Sequence, residues 1–182
     1  LLGAIATGLA AALAFYFYTY FWEFTSIETG IITMGVFLAA LIGMILAPIV
    51  TKRFGKKKGA MAVGLVAFLG APLPVFLRLI GVLPENGDPF VFWFVFGTGV
   101  IDVGLIICFQ ILFSSMTADL VEQAELKTGR RSEGVFFASV TFVRKTVQGL
   151  GLLAASFVLA LAEFPAGAAV DEVTDESIWL LG

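Results

Sequence analysis

Charged side chains inside apolar sequence are where this chain could do chemistry, because each needs a partner, a proton or water to hold its charge. Asp102 is the acid of the apolar run 90–113, and Arg144 and Lys145 stand together in the run 134–163. At 1.5 Å per helical residue, Lys145 lies about 16 Å into its helix, near the middle of a bilayer. Asp102 reaches a similar depth counted from the opposite side. On consecutive antiparallel helices, Asp102 is expected to pair with Lys145 or with Arg144, which points about 100° away from its neighbour. Such a group either fixes helix packing as a buried ion pair or lines a watered path for a solute or a proton. Gln148 and Gln110 fit the same path, and packing hydrogen bonds would explain them equally well. Arg78, near the end of its run, is expected to reach the interface with its long side chain.

A second charged stretch lies outside the apolar runs. Asp119, Glu122 and Glu125 recur every three residues and so share a helical face, with Lys127, Arg130 and Arg131 following. A carboxylate face beside basic residues can hold a gate shut, or it can be a solvated amphipathic loop. The chain has no histidine, which removes histidine metal ligation and histidine acid–base chemistry. Its single cysteine, Cys108, sits in an apolar run and is expected to pack there. No cluster of acids with metal spacing and no nucleophile–base pair is visible, which argues against a membrane-embedded enzyme.

The elements that must position these groups are membrane helices. Apolar residues make up 59% of the chain and charged residues 14%, with a mean hydropathy of +1.00. A soluble fold needs far more polar surface than that. Runs of about twenty apolar residues, the length that crosses a hydrocarbon core of about 30 Å, are expected at roughly 3–24, 30–50, 59–82, 90–113 and 134–163. A further apolar turn begins near Ser177. The runs lack the alternation of barrel strands, so an all-α polytopic bundle is expected. Pro72 and Pro74 should kink the third run. Small residues that allow close helix approach appear as Ala4, Gly8 and Ala12, as Gly97, Gly99 and Gly104, and as Gly149 and Gly151. The chain starts inside an apolar run and stops in one, so both ends are expected to be cut.

Charge asymmetry sets an expected orientation. The loop 51–58 holds five basic residues, Lys52, Arg53, Lys56, Lys57 and Lys58, and the next connection on that side adds Lys127, Arg130 and Arg131. The alternate connections carry Glu23 and Glu28, then Glu85 and Asp88, then Asp171, Glu172, Asp175 and Glu176, without lysine or arginine. The positive-inside rule therefore places the basic loops in the cytoplasm.

The stretch Met116-x-Ala118-Asp119-x-Val121-Glu122-x-x-Glu125-x-Lys127, with Arg131, Glu133 and then Lys145, resembles the melibiose permease-like glycoside–pentoside–hexuronide:cation symporters of the major facilitator superfamily. Arg53-Phe54-Gly55-Lys56-Lys57 is similar to the superfamily's basic loop motif between helices eight and nine, with Lys52 where that motif usually has an acid. The resemblance implies the C-terminal half of such a transporter, helices seven to eleven and the start of twelve. It implies alternating access around a central site, with Lys145 facing the cavity and Asp119, Glu122 and Arg131 bracing the closed inner side. Asp102 has no counterpart in it.

The expected function is cation-coupled symport of a sugar or glycoside-type solute. A lysolipid or other solute transporter of the same superfamily, or a non-transporting membrane scaffold, is the alternative. No organic cofactor is expected, and the coupling cation, sodium or a proton, would bind mainly in the absent first half. Expected partners are the lipid bilayer of a plasma membrane (the inner membrane in a bacterium), a small-molecule solute and the N-terminal half, with no nucleic acid.

Overall fold

The computed structural model describes Gly8, residues 13–129 and residues 133–161. Ala4, Ala12, Arg130, Arg131, the acidic residues from Asp171 onward and the apolar turn from Ser177 lie outside the described residues. The described elements are helical: a π-helical turn Phe17–Phe21, then α1 (Ser26–Phe54), α2 (Lys56–Gly70), α3 (Leu73–Leu79), α4 (Pro89–Thr128) and α5 (Glu133–Leu161). Two compact units divide the chain, Ser26–Arg131 on the one hand and Leu1–Thr25 with Ser132–Gly182 on the other.

Within Ser26–Arg131, helix contacts are read most directly at glycines. Gly35 of α1 faces Phe96 and Val100 of α4, and Gly43 faces Gly104 and Ile107. Both sets of numbers rise together, so α1 and α4 run parallel. A methyl group at Gly43 would stand 2.8 Å from the Gly104 carbonyl oxygen, and one at Gly104 would stand 3.2 Å from the Ala39 oxygen. Gly35, Ala39, Gly43 and Ala47, one every four residues, are the buried face of α1. Lipid offers no hydrophobic drive between helices, so association rests on van der Waals contact, which small residues maximise by bringing backbones together. The stripe was readable as a small-residue repeat. The glycines singled out from sequence meet it unevenly: Gly104 sits in the seam, whereas Gly97, Gly99 and Gly149 have open space where a Cβ would stand.

Against α4, α2 runs the other way. Lys56 meets Asp119, Gly64 meets Phe109, and Gly70 meets Asp102, a falling series. Where the three helices converge, Ala47, Val50, Ala60, Val63, Cys108 and Leu112 form a buried cluster. Cys108 is fully enclosed there, as its apolar setting predicted. Outward faces are apolar, with Phe37 77% and Phe68 70% exposed. Among the described residues three helices, Ser26–Phe54, Lys56–Leu79 and Pro89–Lys127, are long and apolar enough to cross a membrane.

Three local features follow from identifiable residues. The double proline breaks the third run into α2 and α3 around Ala71 and Pro72, because Pro72 and Pro74 have no N–H for the carbonyls of Phe68 and Gly70. At the start of α4 the Asp88 carboxylate accepts a 2.8 Å hydrogen bond from the Phe90 N–H, with Pro89 at the first helical position. That cap and proline are a preferred pair at a helix start. α4 does not end at the membrane edge. It is 40 residues long, about 60 Å, so the stretch after residue 113 is a projecting helix and not a loop. It ends at Gly129, whose φ of 65° gives a left-handed cap and whose N–H donates to the Glu125 carbonyl.

Candidate functional site

The basic hairpin is built by one residue. Phe54 closes α1 and Lys56 opens α2, so Gly55 alone reverses the chain. Its φ of 75° and ψ of 164° belong to a region that essentially only glycine occupies. The Gly55 N–H donates to the Thr51 carbonyl at 2.9 Å, and its carbonyl accepts from the Gly59 N–H at 3.0 Å. Gly59 lets the helices close up, since a methyl there would stand 2.5 Å from Val50 Cγ1. On the hairpin, Arg53 stacks over the Phe54 ring at 5.8 Å. Lys57 and Lys58 remain exposed.

Lys56, by contrast, turns to α4. Its Nζ donates to both carboxylate oxygens of Asp119, at 2.8 Å and 2.6 Å, across 63 residues of sequence. Three lysines at the start of a helix oppose the positive end of its dipole, and α2 has no acid in its first turn. Asp119 supplies that missing negative charge from the neighbouring helix. Glu122 and Glu125 continue along the projecting part of α4 and are exposed. The structure thus joins two motifs that look separate in sequence, the basic hairpin and the acidic face. Nothing local to either motif announces the pairing.

Asp102 lies on α4 midway through its apolar stretch. Its Oδ1 is closed off and has no hydrogen-bond partner among the described residues. The neighbour is Gly70, whose Cβ, were there one, would stand 3.5 Å from that oxygen. The Arg78 guanidinium donates to the Pro84 carbonyl at 2.7 Å, beyond the end of α3.

The remaining candidates, Arg144, Lys145 and Gln148, sit at the middle of α5 in the other unit. Lys145 is exposed, whereas Arg144 and Gln148 are half-buried. Gly8 packs at this level, where a methyl would come within 2.6 Å of the Gln148 carbonyl oxygen. The small residue foreseen in the first run is thus a point of close helix approach. Upstream, the aromatic stretch ends in a π-helical turn, with Phe17 and Phe21 rings at 5.6 Å and Phe21 edge-on to Trp22 at 5.0 Å. A second aromatic group opens α4, where Trp93 meets Phe96 edge-on at 5.7 Å.

Long apolar helices with apolar outward faces, small-residue seams and charges gathered at the ends define an all-α polytopic membrane bundle. The model of the MFS/sugar transport protein family matches residues 1–181. The chain belongs to that family and is a major facilitator superfamily transporter chain. No curated protein and no solved structure matches it.

Proposed function

We propose that this chain is the second half of a cation-coupled symporter that moves a sugar or glycoside-type solute by alternating access. The observation that carries the reading is the Lys56–Asp119 ion pair. It ties the basic hairpin to the acidic face of α4, the two features through which the sequence resembles glycoside–pentoside–hexuronide:cation symporters. The basic end faces the cytoplasm, by the lysine and arginine excess of its loops. There the pair acts as a latch that holds α2 against α4 when the inner side is closed. Lys145 faces the central cavity, with Arg144 and Gln148 beside it, and the coupling cation, sodium or a proton, binds mainly in the first half. The protein works as a transporter and not as a catalyst.

The latch is half-exposed, with side-chain accessibilities of 36% and 48%. An ion pair of that kind contributes only about 0.2–1 kcal/mol to stability. Any large effect of its loss on uptake therefore reports on the transport cycle. In the full-length protein in vesicles, Asp119→Lys should slow uptake at least several-fold while solute binding stays within about twofold. The exchange Lys56→Asp with Asp119→Lys should recover most of the rate. Loss of binding instead of rate, or no recovery in the exchanged pair, would remove the latch. Lys145→Ala tests the cavity role separately, and unchanged uptake under both sodium and proton gradients would refute it.

A further inference from the structure

Asp102 is an ionisable residue of the apolar stretch of α4 that neither the latch nor the family resemblance uses. It stands seventeen residues before Asp119, and Gly70 stands fourteen residues after Lys56, about 25 and 21 Å along their antiparallel helices. The Lys56–Asp119 pair lies at the start of α2 and just beyond the apolar stretch of α4, so Asp102 and Gly70 meet deep within that stretch. On the Asp102 side the carboxylate offers an enclosed Oδ1 with no hydrogen-bond partner among the described residues. On the Gly70 side the helix breaks, and Pro72 and Pro74 withhold the regular donors of the Phe68 and Gly70 carbonyls. Helices interrupted at this depth expose backbone oxygens of the kind that coordinate cations.

The charged groups on every element of this unit lie elsewhere. α1 carries Glu28, Lys52 and Arg53, α2 carries Lys56, Lys57 and Lys58, and α3 carries Arg78. On α4 itself the others are Asp119, Glu122, Glu125 and Lys127. All of these sit at helix ends or on the projecting part of α4, many residues from Asp102. Among the described residues no three His, Cys, Asp or Glu side chains gather as a metal site would need. One carboxylate with neutral oxygens suits a single positive charge and not a divalent ion.

We propose that Asp102, facing the Gly70–Pro72–Pro74 break, binds a monovalent cation, a proton or a sodium ion, as a second cation site in the C-terminal half. Its coupling to solute movement rests on the transporter reading. Binding itself does not, so the test reads binding.

Infrared difference spectra of the full-length protein in lipid, recorded against pH and against added sodium, observe the carboxyl group directly. A protonated-carboxyl band that titrates with pH and is lost in Asp102→Asn establishes the proton. Carboxylate bands that shift on adding sodium, and are lost in Asp102→Asn, establish the ion. Gly70→Ala adds a methyl at ordinary contact distance from Oδ1, so it should leave the protein folded and shift whichever band responds. It serves as the second variant if Asp102→Asn does not fold. A carboxylate that stays ionised and responds to neither pH nor sodium, in wild type and in Gly70→Ala, overturns the proposal and leaves a packing residue. Solute uptake measured alongside separates the two readings, because a cation response without transport would sink the transporter and keep the site.

Discussion

Two seams hold α4, and they are built on opposite plans. Against α1 the contact closes to backbone distance at Ala39, Gly43 and Gly104, with Gly35 under the Phe96 ring and no charged group along it. Against α2 and α3 it runs from a half-exposed ion pair, past Gly64 under the Phe109 ring, to a carboxylate at a helix break whose enclosed Oδ1 has no hydrogen-bond partner among the described residues. The first has no slack, because helix backbones cannot move aside as a side chain can. The second is made of parts that can separate or rearrange: a long lysine, a ring, a double-proline break. In a transporter the first seam is suited to staying closed and the second to changing.

Substitutions can break or sharpen that contrast. The largest effect is expected at Gly43→Ala, whose methyl would meet the Gly104 oxygen and Ile107 at 2.8 Å. Overpacking of this kind costs about 1–3 kcal/mol, readable as a lower melting temperature of the full-length protein in detergent. A wild-type melting temperature would show that this seam also yields. Next comes Gly55→Ala, which forces a side chain into a backbone conformation with φ of 75° and ψ of 164° and costs roughly 1–3 kcal/mol. Limited proteolysis at the hairpin should then speed up. A double-mutant cycle on Lys56→Ala and Asp119→Ala should give a coupling of only about 0.2–1 kcal/mol, shrinking as salt is raised. A larger, salt-insensitive coupling would make the second seam as rigid as the first. The smallest change is expected at Gly97→Ala, where no atom lies within 4 Å of the added methyl. Its melting temperature should match wild type, a shift within about 0.5 kcal/mol.

Much of the bundle follows from one-dimensional properties. Residues 26–54, 56–79 and 89–113 are helical and apolar because no other local structure satisfies their backbone in lipid. Pro72 and Pro74 must interrupt a helix wherever it packs, and the break is where they predict. Sequence and structure differ where periodicity has to be separated from hydropathy. The polar turns after residue 113 continue α4 to Thr128, since Glu122, Glu125, Leu126 and Lys127 are good helix formers once outside lipid. The one-in-four small residues of α1 are written in the sequence, but only their contacts with α4 distinguish them from the paired glycines Gly97 and Gly99.

By itself, then, the sequence determined the membrane helices, the segregation of charge to their ends, the proline break and the candidates Asp102, Asp119 and Lys145. Each of these is decided by transfer of a segment between water and lipid, or by the backbone chemistry of one residue. Tertiary structure alone decided the parallel pairing of α1 with α4, the partner of Asp119, and the enclosure of the Asp102 oxygen against Gly70. Hydropathy is the same for every apolar face, so it cannot choose neighbours in lipid. Shape complementarity between residues far apart in sequence makes that choice, and it brought Lys56 to Asp119 and Gly70 to Asp102.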